Sequence, residues 1–249
     1  MAYLKPGNVQ DNKHSWAILK LLVKEIRNFW PNVKIIFRGD AIFCRHKMFN
    51  WCERNGVYYI TGISTNNQLS KFANPNINKT KKLFNKTGKF QKIFTEFKYA
   101  AATWIRERRI VLKTECDINK LRSCFIVTNL PGDPQYLYEK IYSARGEMEN
   151  RIKEQKLYLF SNRTSSKDMF ANQFRLLLSG MAYILLDYLR KLCLKTTKYA
   201  KSNCLTIRLK LLKLVAIVIE NDKTKKILLS NLHPWKFLFY TSLRKLGIV

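Results

Sequence analysis

Two acidic residues stand where phosphate chemistry could be done. The apolar run Val33-Lys-Ile-Ile-Phe37 ends in Arg38-Gly39-Asp40, the pattern of a buried strand that delivers a carboxylate at its C-terminal edge. About 100 residues on, Tyr142, Arg145, Glu149 and Lys156 follow one another at intervals of 3, 4 and 7 residues. At about 100° of rotation per residue, all four fall within a ~60° stripe of one helix. The same arithmetic sends Glu147 and Glu154 to the opposite side, where they read as solvated helix charges. A strand-end Asp and a helix Glu are hard oxygen ligands suited to magnesium, which would bridge them to phosphate oxygens. Two divalent ions about 4 Å apart could then activate water or a 3′-hydroxyl and stabilise the leaving oxygen. Arg145 can fork onto a phosphate, Lys156 offers a point charge, and Tyr142 offers a hydroxyl or a stacking surface. The bland alternative is an exposed helix laced with i,i+4 charge pairs.

The elements that must position these groups can be read from periodicity. SWAILKLLVKEIRNFW predicts an amphipathic helix from Ser15, available as N-cap, to Trp30, with Pro31 ending it. A strand over 33–37, a helix over 47–54 and a strand over 57–63 imply a parallel pair. The Asn- and Lys-rich stretch 66–92 predicts a basic loop, and 93–99, 108–114 and 122–128 predict an antiparallel insertion with a turn at 117–120. Asp133-Pro134 should cap a long helix to about Phe160, and a second helix should run from about 166 to Leu194. The apolar run Phe174–Tyr188, shorter than the roughly 20 residues a bilayer needs, reads as a buried helix. The remainder reads as basic and helical.

Lys and Arg number 46 against 17 Asp and Glu, a net charge of +29 in 249 residues, so a polyanion is the expected partner. A lysine-raising codon bias would spread basic residues evenly. Residues 190–249 instead hold 14 Lys or Arg against Glu220 and Asp222 alone. The six cysteines show no paired metal-ligand spacing and read as reduced core thiols; His14, His46 and His233 form no HExxH pair. The opening residues carry no signal-peptide pattern, so a cytoplasmic, non-membrane protein is expected.

The Tyr142, Arg145, Glu149, Lys156 spacing resembles the signature of the DDE transposases of bacterial insertion sequences. FRGDAIFCR, WCERNGVYYITGI, FIVTNL, YSARGEMENRIKEQK, ANQFRLLLSGMAYILL and TIRLKLLKL resemble successive blocks of the insertion-sequence family thirteen-eighty, across nearly the whole chain. The resemblance implies an α/β fold with an RNase H-like core, a β-rich insertion before the glutamate helix, and a basic helical C-terminal region. The division it suggests is 1–64 partial core, 65–130 loop and insertion, 131–195 glutamate helix and its successor, and 196–249 basic region. It implies that Asp40 and Glu149 are catalytic metal ligands for two Mg2+ or Mn2+ ions. Tyr142, Arg145 and Lys156 would hold the DNA of transposon ends and target. Trp104 would stack a displaced base or serve the core. The implied function is transposon-end cleavage and strand transfer, and the implied location is the bacterial cytoplasm at the nucleoid. Family members usually act as homodimers, although no residue pattern here defines an interface. In the family a DNA-binding region and a strand with the first catalytic Asp precede a segment like AYLKPGN. Here that segment opens the sequence, and Asp11 follows it in a loop. The expectation is therefore a truncated, inactive copy, with a non-catalytic DNA-binding remnant or regulator of transposon ends as the alternative.

Overall fold

The computed structural model describes residues 3–4, 15–221, 224–230 and 233–248. Asp11 and His14 lie outside them. The chain divides into two compact units, Asn8–Glu147 and Met148–Val249 together with Met1–Gly7.

The first unit is built on a mixed five-stranded sheet in the order β1-β2-β5-β4-β3. These are β1 (Ile36–Gly39), β2 (Tyr58–Ile63), β3 (Gln91–Tyr99), β4 (Arg108–Cys116) and β5 (Leu121–Thr128). β1 and β2 pair in parallel, as expected of a strand-helix-strand unit, and the other pairings are antiparallel. β1 starts three residues later than the apolar run suggests, because Ile35 enters only through its carbonyl, which accepts from Tyr58 N at 2.9 Å. The β4–β5 turn forms as read, with Asp117 accepting from the amides of Asn119 and Lys120.

One sheet face is covered by α1 (Ser15–Phe29), α2 (His46–Arg54) and α3 (Asn67–Thr87). Leu19, Val23, Met48, Phe49, Cys52, Leu69 and Ala73 pack there on Tyr59, Ile110, Leu112, Phe125 and Val127. Ser15 is the first helical residue of α1 rather than its cap. α3 corrects the loop expected over 66–92. Asn66 caps it by accepting from Leu69 N at 2.9 Å, and Gly88 closes it in the left-handed conformation. Its core-facing stripe is partly polar, with Thr80 bonded to Thr114 across to β4 at 2.9 Å and Asn76 to Thr95 at 3.0 Å. Those side chains hide the helical period from a hydropathy reading.

The other sheet face is covered by the segment after β5. Asp133 caps α4 (Pro134–Tyr136) as expected, accepting from Tyr136 N at 2.8 Å. The long helix expected from there is interrupted, however. Residues Leu137–Tyr142 form a π-helical stretch, and α5 (Arg145–Tyr158) begins only after a turn. The wide turn seats Leu137 and Tyr138, with Ile141 and Tyr142, on Ile60, Val111 and Ile126.

In the second unit, α6 (Met169–Cys193), α7 (Cys204–Ile207) and α8 (Lys236–Lys245) gather around Tyr183, Leu186, Cys193, Leu194, Ile207, Leu211 and Leu238. Asp168 caps α6 through Phe170 N at 2.9 Å. The wholly helical expectation for the C-terminal region is corrected by a hairpin, β6 (Ala216–Asn221) with β7 (Thr224–Leu229). Its β-branched residues Ile217, Val218 and Ile219 favour strand over helix. The expectation of a buried helix over 174–188 is also corrected. α6 turns Tyr183 and Leu186 inward while Phe174, Met181, Ile184, Leu185 and Tyr188 remain exposed, because an apolar period marks a face without supplying its cover. Among the described residues, α6 is the one helix long and apolar enough to cross a bilayer.

Candidate functional site

Asp40 follows the last residue of β1 and caps a single 3-10 turn, Ala41–Phe43, accepting from Ile42 N at 3.0 Å through Oδ1. Its Oδ2 has no hydrogen-bond partner among the described residues, and the side chain is half-buried. The turn is closed because residue 39 is glycine: a Cβ there would lie 2.9 Å from Phe43 Cδ2. Parallel pairing puts the end of β2 beside this turn, with Gly39 opposite Thr61 and Gly62 next in line. A Cβ on Gly62 would lie 2.8 Å from the Tyr142 hydroxyl and 3.1 Å from Ala41 N. The phenol and the backbone immediately after Asp40 therefore both approach the same glycine.

Contacts to Tyr142 and its neighbour Ile141 help to hold the phenol there. Arg38, two residues before Asp40, donates from Nη1 to the Ile141 carbonyl at 2.8 Å. The Tyr142 ring packs against Tyr138 at 5.4 Å, and the Arg145 guanidinium lies 5.6 Å from the Tyr142 ring centroid. Of the sequence-selected residues in the first unit, Tyr142 lies against Gly62, next to the turn that follows Asp40, and Arg145 packs on the Tyr142 ring. Arg38 and Gly62 were not singled out from sequence. The available signals were a glycine inside a strand, which marks close approach, and an arginine two residues from the Asp.

Glu149 and Lys156 belong to the second unit and are exposed on α5, where about 100° per residue keeps them within ~20° of each other. The opposite side of α5 is anchored. Arg151 donates to the Tyr183 hydroxyl at 3.1 Å and lies 3.5 Å from Asp187, and Glu154 accepts from Cys204 N and lies 3.9 Å from Arg190. Glu154 is therefore not the solvated charge expected, because it takes up an otherwise open amide at the start of α7. Asp187 is partly buried, which alone would raise its pKa, but hydrogen bonds from Lys191 and Arg190 hold it down at about 2.

Trp104 packs edge-on to Phe49 at 5.8 Å and to Tyr99 at 5.6 Å, with Arg108 over its face at 5.0 Å. Arg108 in turn is paired with Glu53 and lines an open cavity of about 400 Å³ with Arg106, Arg109 and Asn129. Thiol chemistry is disfavoured: burial pushes Cys44 up to about 11 and Cys52 and Cys204 up to about 12, so none is a thiolate at neutral pH. Among the described residues, no group of three or more His, Cys, Asp or Glu is gathered to hold a metal. What the first unit does present is one strand-end carboxylate with an oxygen unpaired among the described residues, and a phenol on the glycine beside the turn that follows it. No curated protein matches the chain. A family model described as transposase DDE domain group 1 matches residues 1–248.

Proposed function

The chain belongs to the transposase DDE domain group 1 family, and from that premise we propose that it acts on double-stranded DNA, cutting transposon ends and joining them to target by metal-dependent phosphodiester chemistry. The family uses divalent cations, and we assign Asp40 and Glu149 to hold Mg2+ or Mn2+. The observation that carries this is the open Oδ2 of Asp40 at the C-terminal edge of the parallel pair, a hard donor of the type magnesium selects. Bound cations would supply activation of water or a 3′-hydroxyl and neutralise the leaving oxygen. The chain's own residues do the rest. Tyr142 and Arg145 position a phosphate beside Asp40, and Lys156 holds the backbone of the same DNA from the face that carries Glu149. For Trp104, the Phe49, Tyr99 and Arg108 contacts favour the core role over base stacking.

The finer reading is that β1 and β2 belong to an RNase H-like core, that β3, β4 and β5 are its insertion, and that the chain is of the thirteen-eighty type. The net charge of +29 favours DNA binding independently of catalysis. The test uses the purified chain with labelled duplexes. Affinity should fall by orders of magnitude between about 50 and 200 mM salt, and magnesium or manganese should support nicking that Asp40→Asn or Glu149→Gln abolishes. Salt-independent binding would overturn the electrostatic account. No nicking with either cation, or nicking that survives Glu149→Gln, would overturn the assignment of Asp40 and Glu149.

A further inference from the structure

We propose that Gly62 is a positioning residue for the Asp40 site, its missing side chain being the space through which the Tyr142 hydroxyl reaches the backbone beside Asp40. The inference rests on the reading of Asp40 as a cation ligand. Its geometric part stands on the sheet alone. Gly62 is buried near the end of β2, and its backbone lies in the ordinary range for any residue, so conformational freedom is not why glycine stands there. Space is the reason. An added Cβ would sit 2.8 Å from the Tyr142 hydroxyl, 3.1 Å from Ala41 N and 3.5 Å from Ala41 Cα.

Neither neighbour can yield cheaply. Ala41 opens the turn that Asp40 caps, so moving its amide moves the carboxylate. The Tyr142 ring is a rigid lever, fixed at its base by the π-helical stretch, by the Arg38 bond to the Ile141 carbonyl and by the Tyr138 ring. With that base fixed, a displaced hydroxyl must swing away from Asp40. Gly62 therefore sets how near the phenol comes to whatever Asp40 binds, and Arg38 sets the base from which it reaches.

The test uses the full chain and terbium, a hard oxygen-seeking cation whose emission is excited by nearby tyrosine. Wild type should give emission that Asp40→Asn removes and that Tyr142→Phe reduces. In Gly62→Ala the Asp40-dependent emission should persist while the Tyr142-dependent part is lost. A Gly62→Ala protein whose emission still falls on adding Tyr142→Phe as much as in wild type would overturn the proposal. Thermal melts cover the case of a damaged fold. Gly62→Ala should lower Tm in wild type and much less in the Tyr142→Phe background, where the clashing oxygen is gone. Equal losses in both backgrounds would also overturn it. If Asp40→Asn leaves emission unchanged while the melts show that coupling, the cation reading fails and the spatial role of Gly62 stands.

Discussion

Replacing Arg108 with methionine should destabilise the sheet unit by about 2–3 kcal/mol, and the figure follows from the contacts that surround one buried cation. Its side chain is 2% exposed, with Nε 2.8 Å and Nη2 3.1 Å from the two Glu53 oxygens and Nη2 2.6 Å from Asn50 Oδ1. Removing one member of a buried pair costs about 3–5 kcal/mol because the other charge is left uncompensated. Two features lower that figure here. Arg106, half-exposed, still reaches Glu53 at 2.9 Å. Nη1 of Arg108 is buried without a partner, and its removal returns part of a penalty of about 1–3 kcal/mol. The flexible methionine would keep the apolar contact with Trp104 and Phe49, so little cavity cost is added. Urea unfolding followed by tryptophan fluorescence measures the loss, and a double-mutant cycle with Glu53→Met isolates the pair. The double variant should lose clearly less than the sum of the two single changes, since it leaves no buried charge, and its residual loss is the cost of the buried Tyr59 hydroxyl that donates to Glu53 at 2.7 Å. An Arg108→Met protein within about 0.5 kcal/mol of wild type, the range of an ordinary surface change, would refute this account of the pair and of Trp104 as its packing support.

Two further outcomes test the units separately. Thr80→Val should cost about 1 kcal/mol by leaving the Thr114 hydroxyl only its long 3.4 Å bond to the Ile93 carbonyl, whereas Thr80→Val with Thr114→Val should be close to neutral; chemical denaturation of all three proteins decides it, and equal losses in single and double variants would remove the role given to the α3–β4 bond. Because the folded pKa of Asp187 is depressed to about 2, its contribution is complete above the unfolded value near 4 and disappears as pH falls through about 2. Asp187→Asn should flatten the acid limb of stability followed by circular dichroism, and an unchanged limb would show that the Arg190 and Lys191 contacts do not operate in solution.

How far the fold could be read from sequence depended on whether a core-facing position carried an apolar side chain. α1, α2, β2, β4, β5 and the Asp133 cap all announce themselves through period or capping chemistry. α3 does not, because Asn76 and Thr80 occupy its inward stripe and Pro75 stands in its middle. The signals that remained were Asn66 three residues before Leu69, the Leu69–Ala73–Ile77 spacing, and Gly88 at the end. The π-helical stretch escaped for a different reason. Nothing in Leu137–Tyr142 departs from helical composition, and its extra residue per turn follows from how Tyr138 and Ile141 seat on the sheet. That is a tertiary demand, invisible to local reasoning.

The same distinction explains what was legible at the site. The place of Asp40 just after β1 could be read because a strand end is a local feature. Choosing Glu149 over Glu154 relied on helix rotation alone, and that arithmetic holds within α5. It places Glu149 and Lys156 on one exposed side, opposite the side where Arg151 and Glu154 meet Tyr183, Asp187, Arg190 and Cys204. The step it could not take was across Ser143 and Ala144. There a π-helical stretch and a turn replace the continuous helix, and the Tyr142 hydroxyl lies against Gly62. Tyr142 is fixed by the sheet, while Glu149 is fixed by the rotation of α5, which the ion pairs on its far side determine.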